Sequence, residues 1–206
     1  MYGYRRVVLV LAVVLFAVML SGCIKPTEIT IVPDTVILRV GETRDFVATG
    51  TFNKYEKDVK NALWSLSNPS VGTLSTEKGT KVTFSATTAG DSTLYAAIGT
   101  VEGTAEIEVY VPELTTIVAL PEELEFTDGD TYDGFIVVGY DQHDREMDID
   151  PDDIVWSADA QIGTFDGWMF TADLGDATED VTGTITATLG TLSDTIPVTV
   201  RLEPPF

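Results

Sequence analysis

Two stretches of this 206-residue chain, each about 90 residues long, repeat the same short motifs in the same order. A repeat of that length suits a self-contained folded body and exceeds a solenoid unit. Val32-Pro33-Asp34 is echoed by Leu120-Pro121-Glu122, and Val40-Gly41-Glu42-Thr43 by Asp128-Gly129-Asp130-Thr131. Leu63-Trp64-Ser65 returns as Val155-Trp156-Ser157, and Val71-Gly72-Thr73-Leu74 as Ile162-Gly163-Thr164-Phe165. Phe84-Ser85-Ala86, Ala89-Gly90-Asp91 and Ile98-Gly99-Thr100 return as Phe170-Thr171-Ala172, Leu174-Gly175-Asp176 and Leu189-Gly190-Thr191. The spacing between equivalents varies, so the copies differ by small insertions in loops.

Within each copy the hydrophobic period is that of strands. Ile29–Ile31, Val36–Val40, Lys81–Phe84 and Ile107–Val111 are short and rich in β-branched residues, as are Ile117–Leu120, Phe135–Val138, Thr184–Ala187 and Ile196–Val200. Turn residues separate them at intervals of roughly 8–12, the spacing of an all-β sandwich or barrel of antiparallel strands. No segment after residue 23 keeps a helical period over three turns. Asp166-Gly167 between Phe165 and Trp168 predicts a tight hairpin. Pro197 predicts that the last strand lies at a sheet edge, because proline cannot donate to a central ladder.

The order of these motifs resembles the bacterial immunoglobulin-like domains of group 2, found in intimin, invasin and other surface proteins. The shared pattern runs from a Val-x-Pro-like strand and a Gly-Glu/Asp-Thr turn to a Trp-Ser strand, then a Val/Ile-Gly-Thr hairpin, a Gly-Asp turn and an Ala-rich strand ending in Gly-Thr. Copy one keeps Ser67-Asn68-Pro69-Ser70-Val71 before its hairpin, whereas copy two has Asp159-Ala160-Gln161 there and is the more diverged. The resemblance implies an all-β chain of two tandem Ig-like antiparallel β-sandwiches, at residues 27–112 and 113–206. It also implies roles in adhesion or envelope structure. Val111-Pro112-Glu113-Leu114 is a short linker that Pro112 stiffens.

The amino terminus carries a second signal. Arg5 and Arg6 precede the apolar run Val7–Leu20, and Leu20-Ser21-Gly22-Cys23 follows it. A basic region, an apolar core and small residues before a cut describe a secretory signal peptide at residues 1–22. The run is shorter than the roughly 20 residues a spanning helix needs. The segment resembles the lipobox of bacterial lipoproteins. By that resemblance Cys23 is diacylated and becomes the new amino terminus, and two acyl chains suffice for stable anchoring. Residues 23–26 then form a short tether, and the expected location is the outer face of a cell membrane or the outer membrane, facing surface or periplasm. Cys23 is the sole cysteine, so no internal disulfide can form and stability must come from packed cores.

Charge is lopsided between the copies. Residues 23–112 hold eight Lys/Arg against eleven Asp/Glu, whereas residues 113–206 hold two against twenty-two. Such a surface repels phosphates, which disfavours nucleic acid as a partner. The chain offers no glycine-rich phosphate loop before a helix, no Gly-x-Ser-x-Gly elbow and one histidine, His143, so the expectation is a protein that is not an enzyme and requires no cofactor.

Candidate sites fall mostly in copy two. Residues 141–153 hold seven carboxylates in thirteen positions. One reading is a solvated acidic loop; the other is a calcium site using some of Asp141, Asp144, Asp148, Asp150, Asp152 and Asp153, since calcium takes six to eight oxygens. The spacing is not an EF-hand, because Asp153 stands where that loop needs glycine. Trp64 and Trp156 occupy equivalent, apolar-flanked positions and are read as core tryptophans rather than sugar-stacking platforms. Trp168 aligns with Val82, so strand alternation places it on the inward face with Phe170; a ligand-contact role requires an exposed hairpin tip. The expected partners are the membrane, through the lipid on Cys23, and an envelope protein or glycan. The alternative to a spacer and adhesion module is a carbohydrate- or calcium-binding accessory module.

Overall fold

The computed structural model describes residues 25–202, in which the chain divides after Val111 into two compact units. Cys23 and the segment before it lie outside the described residues. The fold is all-β and Ig-like, built from short strands and one 3-10 turn among the described residues.

In copy one the strands are β1 (Glu28–Val32), β2 (Thr35–Arg39), β3 (Thr43–Phe52), β4 (Tyr55–Asp58), β5 (Ala62–Leu66), β6 (Gly72–Leu74), β7 (Lys78–Gly79), β8 (Lys81–Ala86), β9 (Gly90–Ile98) and β10 (Val101–Tyr110). One sheet has the order β1-β3-β8-β6, with β4 pairing to β3; the other has the order β2-β10-β9-β5-β7. Alternation decides the faces. In β8, Val82, Phe84 and Ala86 are buried while the residues between them are not, and in β10 Ala105, Ile107 and Val109 point inward between Glu106 and Glu108. Phe46, Phe84, Leu94 and Trp64 fill the space between the sheets. Each such side chain contributes roughly 1.5–3 kcal/mol by leaving water.

Copy two contains β11 (Leu114–Leu120), β12 (Leu124–Thr127), β13 (Thr131–Tyr132), β14 (Ile136–Asp141), β15 (Glu146–Met147), the 3-10 turn Pro151–Asp153, β16 (Val155–Ala158), β17 (Gly163–Asp166), β18 (Met169–Ala172), β19 (Val181–Leu189) and β20 (Leu192–Arg201). Its strands form the orders β11-β14-β15, β13-β18-β17 and β12-β20-β19-β16. Phe170, Ile162, Ile185, Ile196 and Trp156 lie in its core.

The two copies share detailed geometry. Both Val32-Pro33 and Leu120-Pro121 are cis, at the point where the chain leaves one sheet and joins the other. The strands after these prolines, β2 and β12, pair parallel to β10 and β20, so the sheets are antiparallel apart from these two ladders. Gly72 and Gly163 face Phe84 and Phe170. A β-carbon at either would collide with that ring and with the carbonyl of Ser85 or Thr171, which is why both copies carry glycine there.

Copy two departs from copy one in two places. Eight positions separate Thr131 from Gly139 but seven separate Thr43 from Gly50, although both glycines sit opposite the same residue of the first strand, Ile117 and Ile29. The extra residue splits the counterpart of β3 into β13 and β14. Second, nine residues lie between Leu74 and its cross-strand partner Phe84, but four between Phe165 and Phe170. Copy two therefore lacks a counterpart of β7.

Pro197 does not mark an edge strand, because β20 lies between β12 and β19. The proline is tolerated there because β12 pairs with β20 only from Val198 onward, leaving Pro197 just outside that ladder.

Candidate functional site

The acidic stretch is structured by its own backbone. Asp141 is fully buried, and its Oδ1 accepts hydrogen bonds from the amides of His143 (2.9 Å) and Arg145 (3.0 Å). Asp144 turns the chain with a φ of 55°, a conformation that aspartate tolerates better than most residues. Asp150 Oδ1 accepts from the Asp152 amide at 3.1 Å and so caps the 3-10 turn. Asp144, Asp148, Asp150, Asp152 and Asp153 are exposed. Two of the six carboxylates proposed to bind calcium thus already hold main-chain amides. Among the described residues no group of three or more acidic, histidine or cysteine side chains could hold a metal ion.

Trp168 is not on the inward face. The hairpin closes at the pair Asp166–Met169, so Gly167 and Trp168 are its two turn residues and strand alternation does not govern them. Gly167, with φ 63°, supplies the positive dihedral that the first position of such a turn requires. Trp168 is 40% exposed.

The short hairpin leaves a notch beside that turn. Its volume is about 180 Å³, and Phe135, Ile149, Pro151, Ile154, Trp156 and Trp168 line it with the first residues of β14. In copy one the residue aligned with Trp168, Val82, is buried opposite Phe46. Copy two turns back before reaching that place, and β18 makes no pair with β14. The floor is aromatic: Phe135 packs on Trp156 with ring centroids 4.8 Å apart and on Phe165 at 5.5 Å. Of the large apolar side chains that copy two leaves exposed, Ile136 and Trp168 line the notch and Met169 adjoins Trp168.

The two core tryptophans sit in the same register, Trp64 opposite Ala96 and Trp156 opposite Ala187, and both are buried. Their polar ends differ. Trp64 Nε1 donates to the Gly79 carbonyl of β7 at 3.0 Å. Trp156 Nε1 is buried with no hydrogen-bond partner. Buried indole N–H groups ordinarily find an acceptor, so this donor marks something missing from the copy-two edge. Composition gave no sign of the notch; the drop in repeat offset between Gly163 and Phe170 was the available signal.

Residues 26–109, nearly all of copy one, match the family described as bacterial Ig-like domain (group 2). In three dimensions the chain is similar to domains 4 and 5 of the S-layer protein SbsC. Identity is 17%, the match covers 86% of this chain and 99% of that one, and the TM-score is 0.52. It is also similar to a fragment of SbsC domains 1–6, at 18% identity and a TM-score of 0.50, covering 88% of this chain but 28% of that longer one. At these identities the likeness is one of fold. No curated protein matches the chain in sequence.

Proposed function

We propose that this chain is a non-catalytic lipoprotein of the bacterial envelope, held by acyl chains on Cys23, whose paired Ig-like units act as a spacer and interaction module. The observation that carries the reading is the match of residues 26–109 to bacterial Ig-like domains, repeated in architecture by copy two. Bacterial surface proteins use such domains as non-catalytic building blocks, and the S-layer domain pair has the same fold. The lipobox-like segment ending at Cys23 supplies the anchor. Within the pair, copy two is the half equipped for contact, because its hairpin tip presents Trp168 beside an apolar notch.

Metabolic labelling with palmitate and fractionation of the full chain test the anchor. Wild type should take up label and sediment with membranes, while Cys23→Ser should lose both. An unlabelled, soluble wild type would refute it. Glycan titration tests the carbohydrate alternative, which requires saturable binding abolished by Trp168→Ala.

A further inference from the structure

Copy one shows what copy two lacks. Its β7 runs antiparallel along the outer edge of β5, with Ala62 opposite Gly79 and Leu63 opposite Lys78. The Trp64 amide donates to the Glu77 carbonyl at 2.9 Å, and the Trp64 indole donates to the Gly79 carbonyl. Three residues, Glu77-Lys78-Gly79, thus satisfy both donors of one tryptophan. In copy two the equivalent strand β16 ends its sheet, and no strand among the described residues pairs with its outer edge. Because Trp156 keeps the register of Trp64, its amide faces that edge. Its indole N–H has neither a protein acceptor nor access to water.

We propose that the outer edge of β16 is a docking site for an extended peptide segment of a partner, which adds as an antiparallel strand, displaces the side chains that close Trp156 Nε1 off from water and presents a main-chain carbonyl to it. Edge addition supplies affinity through backbone hydrogen bonds and specificity through pockets for alternate side chains. The pocket here is the notch of about 180 Å³ beside Trp156, and Trp168 on its two-residue turn and Ile136 are exposed at its rim. Charge selects the occupant. The exposed carboxylates Asp148, Asp150, Asp152 and Asp153 flank the lining residues Ile149, Pro151 and Ile154, within a copy carrying twenty-two acidic residues against two basic ones. The site therefore fits a segment with Lys or Arg next to glycine, as Lys78-Gly79 is in copy one. A second molecule of this chain is disfavoured as occupant, because two such acidic copies repel each other. The inference rests on reading copy two as the contact half, and it is independent of the anchor at Cys23.

The test uses the full chain in detergent micelles, labelled with nitrogen-15 at its tryptophan indoles. The probe is a fluorescent peptide of residues 75–81, Ser-Thr-Glu-Lys-Gly-Thr-Lys. Expected results are saturable binding that weakens with salt, and a downfield shift of the Trp156 indole proton while that of Trp64 stays in place. Trp156→Phe, which also assigns the resonance, should weaken binding about five- to tenfold, the value of one hydrogen bond in affinity. Replacing Gly167-Trp168 by residues 75–80 should abolish binding by filling the edge from within. Absence of saturable binding to a chain with dispersed indole resonances would overturn the proposal. So would binding unchanged by both variants, or a Trp156 shift that follows protein concentration without peptide, which would make a second copy the occupant. Failure of Cys23→Ser to release the chain from membranes would sink the anchor alone.

Discussion

The same substitution should have opposite merits in the two copies. Trp64→Phe and Trp156→Phe each remove the same atoms from equivalent core positions, a loss of roughly 1–2 kcal/mol in packing. Trp64→Phe also breaks the bond from Nε1 to the Gly79 carbonyl at 3.0 Å, worth about 0.5–1.5 kcal/mol. Trp156→Phe breaks no bond and removes a buried donor that lacks a partner, relieving a penalty of about 1–3 kcal/mol. Copy one should therefore lose about 1.5–3.5 kcal/mol, whereas copy two should fall between a loss of about 1 and a gain of about 2 kcal/mol. Amide hydrogen exchange of the full chain, read by mass spectrometry on β5 and β9 for one unit and on β16 and β19 for the other, measures each separately. Equal losses in the two units, or a larger loss in copy two, would refute the claim that the Trp156 N–H is unsatisfied. If the claim holds, a donor that costs stability is kept where a ligand can use it.

Further outcomes follow from local geometry. Gly163→Ala should destabilise copy two by about 3 kcal/mol or more, because its β-carbon runs into the Thr171 carbonyl and the Phe170 ring at a φ of 144°. Gly167→Ala, strained in φ alone with open space around it, should cost about 1 kcal/mol; thermal melts that rank the two the other way would contradict the packing described. Hydrogen bonds from Lys81 and Thr83 hold the Asp45 carboxyl below its ordinary value of 3.8. The stabilisation it gives is therefore present above that value and lost as pH falls through the folded value, so wild type and Asp45→Asn should converge in stability on acidification. A gap that widens with acid in urea titrations would reverse that sign. Removing calcium with a chelator should leave the melting of copy two unchanged, and a rise above about 2 °C on adding millimolar calcium would instead favour the acidic loop as a cation site.

The strands were legible because both faces of each sandwich obey one rule: β10 reads as alternating glutamate and small or branched apolar residues, and its burial follows residue by residue. Trp64 and Trp156 were legible as core for the same reason. Asp141 was not, since sequence gives its charge but not the loop that folds two amides onto one oxygen. Pro197 misled because strand position depends on where a distant neighbour, β12, begins to pair. Trp168 misled because alternation was carried through a turn. The notch depends on what a shortened hairpin fails to cover, and it becomes readable only when the two copies are set side by side.

The parallel ladders have a mechanical consequence. Once β1 is drawn off, tension along the chain pulls the start of β2 and the end of β10 in opposite directions, so the register Thr35–Arg39 against Glu106–Tyr110 is sheared as a whole rather than unzipped bond by bond. The β12–β20 ladder is loaded the same way but is one pair shorter, four against five. Stretching single molecules should give two separate rupture peaks with copy two breaking first; gradual yielding at low force would show that the ladders do not act as clamps. A chain built this way resists drag along its length until a threshold force, and then surrenders copy two before copy one.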